Sequence, residues 1–103
     1  MNKFSFMIAK DHPCLAGHFP NNPIVPGVVI LDYVLMGLFE LYGRTSLKLS
    51  SVKFKSRLLS EESAKIEYQI IKEDCIFFVS VNRKGSKVFL VSGSLIIKLE
   101  KTV

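Results

Sequence analysis

An α+β fold, with one long helix packed on a largely antiparallel β-sheet of about five strands, is predicted by three observations. Val28 to Leu41 is a nearly continuous apolar run of helical length, led in by Pro26-Gly27 and stopped by Gly43. Beyond Gly43 the apolar residues alternate with polar ones, the period of strands. A short alternating segment precedes the helix, so the order is strand, loop, helix and then four strands, which is a helix layer on a sheet layer. The 103 residues fit one domain, 1–103, without repeat or linker.

Each element has its own signal. Asn2 to Ala9 (NKFSFMIA) opens as a strand, with Phe4 and Phe6 alternating with polar neighbours. Lys10 to Pro13 has turn chemistry, and Cys14 to Pro26 reads as an ordered loop, stiffened by Pro20, Pro23 and Pro26. Pro26 suits the first helical position, where a missing N–H costs nothing. The helix is predicted over Pro26 to Tyr42. Its apolar residues cover nearly all faces, as in a buried helix. The β-branched residues at its start favour strand locally, but the run's length and the Pro-Gly lead-in decide for helix. Ser46 to Leu59 alternates around Leu47, Leu49, Val52, Phe54 and Leu58, with an irregularity near Ser50-Ser51. After the polar turn Ser60 to Ser63, Ala64 to Ile71 places Ala64, Ile66, Tyr68 and Ile70 on one face. Lys72 to Asp74 turns the chain into Cys75 to Asn82, and Lys84-Gly85-Ser86 makes a hairpin to Lys87–Leu99, with Gly93 marking a bulge.

Composition narrows the function. Hydrophobic residues make up 49% of the chain and the mean hydropathy is +0.31, more apolar material than a small monomer can hide, so an oligomer is expected. Asp32 and Glu40 interrupt the best candidate for a membrane span, and the N-terminal stretch has no secretory apolar core, so a cytoplasmic protein without a membrane span is expected. Cys14 and Cys75 have neither CxxC nor zinc spacing, and no metal site is expected. The net charge of +5 suits an acidic partner, but no nucleic-acid-binding signature is present and scattered lysines solvate a surface equally well.

Chemistry concentrates between Gly17 and Asp32 (GHFPNNPIVPGVVILD). The N–H groups of Gly27 and Val28 fall in the first helical turn, without intrahelical acceptors, where developing negative charge is stabilised. Gly27 also lets a ligand approach the backbone closely. His18 suits proton transfer near neutral pH. Asp32, an ionisable group early in an apolar helix, should be paired, protonated or functional; interaction with the helix dipole is the plainer alternative. His12 lacks such company and reads as loop support, and a Cys14–His18 nucleophile pair has no further residue behind it. Lys53, Lys55 and Arg57 alternate along a predicted strand and so share a face, either receptive to an anion or simply solvated.

This stretch resembles the active-site segment of the FabA/FabZ-like 3-hydroxyacyl-[acyl carrier protein] dehydratases, small hotdog-fold proteins. His18, Pro20, Pro23, Pro26, Gly27 and Asp32 fall on family positions, whereas Asn21 stands where many relatives have Gly and Met36 where many have Gln. The resemblance implies the hotdog fold, in which the sheet wraps the helix. It implies that His18 removes the C2 proton of a 3-hydroxyacyl thioester, Asp32 protonates or orients the leaving 3-hydroxyl, and the Gly27 N–H polarises the thioester carbonyl. The substrate would arrive on the phosphopantetheine of an acyl carrier protein, with Lys53, Lys55 or Arg57 as contacts, and no cofactor is required. Homodimers, or heterodimers with another hotdog chain, are implied, the histidine of one subunit facing the acid of the other. Two alternatives stay open. A hotdog thioesterase would use a carboxylate to activate water, which the His18–Gly27–Asp32 spacing argues against. A non-catalytic acyl-binding subunit completing a heterodimer is kept open by Met36.

Overall fold

A computed structural model describes residues 1–9, 11–12, 24–43 and 45–99. Its elements are β1 (Asn2–Met7), β2 (Ile24–Val25), α1 (Gly27–Tyr42), β3 (Thr45–Phe54), β4 (Leu58–Leu59), β5 (Ser63–Ile71), β6 (Asp74–Arg83) and β7 (Ser86–Leu99). Five strands form one antiparallel sheet in the order β1-β5-β6-β7-β3, and β2 pairs with β4 in a separate two-residue ladder.

Periodicity explains the sheet. On β5 the buried residues Ala64, Ile66 and Tyr68 alternate with outward Ser63, Lys65 and Glu67, and their partners on β1 and β6 share the same faces. The inward set meets Ile30, Val34 and Leu38 of α1, together with Phe77, Val79 and Leu95. Each of these three helical side chains contributes about 1.5–3 kcal/mol by leaving water. β1 is held to the helix by aromatics. The Phe6 ring stacks on Tyr33 at 4.6 Å, and Phe4 lies so close to Gly37 that a Cβ there would sit 2.2 Å from its ring.

Tight turns set the meander. β5 and β6 are joined by Lys72-Glu73, with Lys72 at φ 57°, and β6 and β7 by Lys84-Gly85, with φ values of 53° and 79°. In the Lys84-Gly85 turn, positive φ at both central residues matches the right-handed twist of a two-residue hairpin. The irregularity expected near Ser50-Ser51 is there, as a register shift between Leu49 and Ser51 against β7.

The structure departs from the sequence reading in several places. Pro26 is the residue before the helix (φ −58°, ψ 141°), not its first residue. The long segment Ser46–Leu59 is two strands, β3 ending at Phe54 and β4 being Leu58–Leu59. Ile24–Val25, read as loop, is a strand because Leu58–Leu59 supplies its partner. No bulge lies at Gly93. That residue is needed for close approach, since a Cβ would sit 2.5 Å from the Ser51 carbonyl oxygen and 2.7 Å from the Phe77 ring. The β7 bulge is at Leu90, the extra residue between the pairs Val79–Val91 and Ser80–Phe89. The helix is buried along one side only: Val28, Asp32, Met36, Phe39 and Glu40 form an exposed stripe.

Candidate functional site

The start of α1 is positioned by a short strap. Two β-branched residues, Ile24 and Val25, suit an extended pair with Leu59 and Leu58, and Pro26, lacking an N–H, ends the pairing. The Pro26 carbonyl accepts the Val29 N–H at 3.0 Å, so the N–H groups of Gly27 and Val28 precede the first intrahelical bond. Against this turn opens a cavity of about 570 Å³, walled mostly by apolar side chains, Ile24, Val25, Val28, Leu31 and Phe54 among them, with Arg57 at its edge. Phe54 sets the shape there. A Cβ on Gly27 would lie 2.5 Å from its Cε1, so the glycine admits the ring to the face of the helix start.

The opposite wall is anchored from a distance. The Leu90 bulge turns its carbonyl to accept the N–H groups of Lys55 (2.7 Å) and Ser56 (3.3 Å), just after β3. Glu62 then pins the strap. Its carboxylate accepts the Leu59 N–H at 2.9 Å and two bonds from Arg83, from Nε at 2.7 Å and from a terminal nitrogen at 2.6 Å. That terminal nitrogen also donates to the Arg57 carbonyl at 2.6 Å. The Arg83 bonds hold the Glu62 carboxyl below its ordinary value, against the opposing effect of partial burial. This clamp escaped the sequence reading because its partners are 21 residues apart and no local pattern links them.

The expected site residues distribute as follows. Gly27 and Val28 line the cavity, the Val28 side chain being 64% exposed. Asp32 lies on the exposed stripe of α1, five residues beyond Gly27; Leu31, not Asp32, is among the cavity's described lining. His18, together with Cys14, Pro20, Asn21 and Pro23, falls outside the described residues. The basic trio does not share a strand face, because β3 ends at Phe54. Lys53 projects from the outer side of the sheet in register with Ser92, Lys55 places its Nζ 5.8 Å from the centre of the Phe89 ring, and only Arg57 reaches the cavity. Burial raises the Cys75 thiol above its ordinary value, which makes it a core residue and a poor nucleophile.

A family described as ApeI-like, ApeI dehydratase, matches residues 2–93. The chain belongs to the ApeI-like dehydratase family. Among curated relatives of this ApeI-like chain, the 3-hydroxyacyl-[acyl-carrier-protein] dehydratase FabZ of Actinobacillus succinogenes is 34% identical over 76 residues, covering 64% of this chain and 51% of the relative. FabZ of Cereibacter sphaeroides is 31% identical over 87 residues, covering 84% and 56%. The chain thus spans about half the length of the curated relatives it matches. Solved structures confirm the hotdog fold expected from the sequence. An uncharacterized protein from Erwinia carotovora subsp. atroseptica superimposes with a TM-score of 0.80 at 20% identity, over 94% of this chain and 82% of that one. The dehydratase heterocomplex ApeI:P from Xenorhabdus doucetiae gives 0.68 at 22% identity, over 92% and 84%. No helix among the described residues is long and apolar enough to cross a membrane.

Proposed function

We propose that the chain eliminates water from a 3-hydroxyacyl thioester carried by an acyl carrier protein, giving the trans-2-enoyl thioester in fatty acid, polyene or polyketide-type synthesis. The reading is supported by family membership and by the FabZ relatives. The observation that carries it is the apolar cavity opening on the first turn of α1, where the Gly27 and Val28 N–H groups precede the first intrahelical bond.

In this mechanism His18 takes the C2 proton and the electron pair moves toward the thioester carbonyl. The Gly27 N–H donates to that oxygen as its charge grows, a preorganised interaction that contributes about 3 kcal/mol in comparable sites. The C2–C3 double bond then forms as the C3–oxygen bond breaks, and Asp32 gives the departing hydroxyl the proton that makes it water. Proton exchange resets both groups, so neither metal nor organic cofactor takes part. The acyl chain occupies the apolar cavity, and Arg57 at its edge is the basic residue best placed for the phosphopantetheine phosphate. A second hotdog chain, identical or related, covers the exposed stripe around Asp32 and brings its own histidine to it; the ApeI:P heterocomplex is a relative assembled from two different chains. The reaction is assigned to the cytoplasm.

The test is incubation of the purified protein, alone and with a related hotdog chain, with 3-hydroxyacyl and enoyl thioesters, followed by ultraviolet absorbance and mass spectrometry. Enoyl product is expected, and His18→Ala and Asp32→Asn should each abolish most turnover in a folded protein. Mixing the two inactive variants under verified subunit exchange should restore activity, because one of the two sites is then intact. Free acid as the product would make the protein a thioesterase, and no turnover in either assembly would make it a binding subunit.

A further inference from the structure

The outer face of the sheet, away from α1, carries a second cavity of about 310 Å³. Among the described residues it is lined by Ser5 of β1, Ser63 and Lys65 of β5, Ser80 and Asn82 of β6, and Lys87 of β7, with Val81 the one apolar residue. The register explains the gathering. Ser5, Lys65 and Ser80 are successive cross-strand partners, and Asn82 pairs with Lys87. The Leu90 bulge that re-aims β7 toward the strap also shifts the pairing of Ser80 to Phe89.

Ser80 is the decisive residue. It is 3% exposed, the one buried polar residue among those described, and its hydroxyl has no hydrogen-bond partner among them. A hydroxyl at the floor of a polar cavity without a partner is costly unless something in the cavity bonds to it. Among the described residues the lining offers ammonium, hydroxyl and amide donors from four strands and contains no carboxylate. Glu67, just outside, binds Lys87 at 2.5 Å and lies in the field of Lys65 and Lys3, so three cations face one anion. Donors converging from several directions fit a tetrahedral oxyanion better than a planar carboxylate.

We propose that this cavity binds a phosphate-class oxyanion, with Lys65 and Lys87 supplying charge and Ser80 a buried hydrogen bond. It is separate from the cavity at Gly27, since α1 packs on the other face of the sheet. The Phe89 ring beside it, with the Lys87 Nζ 5.2 Å from its centre, would support an organic group attached to the phosphate.

The test is titration of the full chain at constant ionic strength, followed by amide chemical shifts, with inorganic phosphate in one arm and phenyl phosphate in the other. Saturable shifts centred on Ser63, Lys65, Ser80 and Asn82 are expected. Lys65→Gln, an exposed substitution, should weaken binding about tenfold, the scale of one charged hydrogen bond, and Ser80→Ala should weaken it further. Glu67→Gln should tighten it. Tighter binding of phenyl phosphate would identify a phosphomonoester as the ligand, and equal binding the free anion. Shifts that stay linear and spread over all the lysines, or saturable binding untouched by Lys65→Gln, would overturn the proposal.

Discussion

Replacing Arg83 with Met should loosen the strap that carries the site. In the folded protein Arg83 makes two hydrogen bonds to the Glu62 carboxylate and one to the Arg57 carbonyl, and the variant leaves Glu62 with only the Leu59 N–H. Charged hydrogen bonds of this kind contribute about 1.5–3 kcal/mol. Both side chains keep partial contact with water, 32% exposed for Arg83 and 21% for Glu62, so the expected loss is about 2 kcal/mol, toward the lower end. For a domain of about 100 residues that is a fall in Tm of about 8–16 °C. The pH dependence gives a second signature. The folded Glu62 carboxyl titrates below its ordinary 4.5, so its stabilisation is present above that value and disappears as the pH falls through the lowered folded value. Urea unfolding across a pH series should therefore show wild type and Arg83→Met converging in acid. Hydrogen exchange at Val25 and Leu59 should speed up more than at the core residue Val79. A stability difference that stays constant from neutral pH into acid, or exchange that rises equally everywhere, would refute the clamp.

Three further predictions rest on close contacts. Gly93→Ala should cost about 3 kcal/mol, because its Cβ meets the Ser51 carbonyl and the buried Phe77 ring; thermal unfolding checks it, with Gly85→Ala, whose Cβ meets nothing within 4 Å at φ 79°, losing only about 1 kcal/mol. Gly27→Ala should leave stability within about 1 kcal/mol, since the Phe54 ring it displaces is 53% exposed, while steady-state turnover of a 3-hydroxyacyl thioester falls at least about tenfold as that ring moves against the cavity. Tyr42→Phe should destabilise by about 1–2 kcal/mol, because it strips the buried Tyr68 hydroxyl of its 3.0 Å partner, and calorimetry should show the Tyr42→Phe, Tyr68→Phe double variant less unstable than the sum of the singles.

The sequence made the helix, the meander and the inward face of β5 readable, because each depends on local period and turn chemistry: the Gly43 stop, the Lys84-Gly85 turn and the alternation of Ala64, Ile66 and Tyr68 all appear as expected. It also marked Gly27, where Pro26 and the helix start announce themselves. What it missed was set by distant partners. Ile24–Val25 becomes a strand only because Leu58–Leu59 lies beside it. Gly93 looked like a bulge because a glycine in a strand has two physical meanings, and the approach of Ser51 and Phe77 selects the second. The real bulge left a faint mark, the adjacent buried residues Leu90 and Val91, which breaks strict alternation. A helix apolar on nearly all faces suggests a buried helix, yet the face around Asp32 is open in the single chain.

The order β1-β5-β6-β7-β3 also bears on how the molecule assembles in time. β5, β6 and β7 are joined by turns of two residues, so their contacts close short loops and need little entropy to form. β1 reaches β5 only after the chain has passed through the helix and β3, and β2 reaches β4 across more than thirty residues, as their positions at 24–25 and 58–59 dictate. The meander should therefore form early, as the local part of the fold, with the helix start captured afterwards. Both ends of the clamp go with that meander, Glu62 just before β5 and Arg83 at the end of β6, so the surface that receives the strap should exist before the strap arrives. Slow folding should thus delay the helix start more than the sheet, and destabilising the helix should leave a partly ordered three-strand remnant in preference to a wholly unfolded chain.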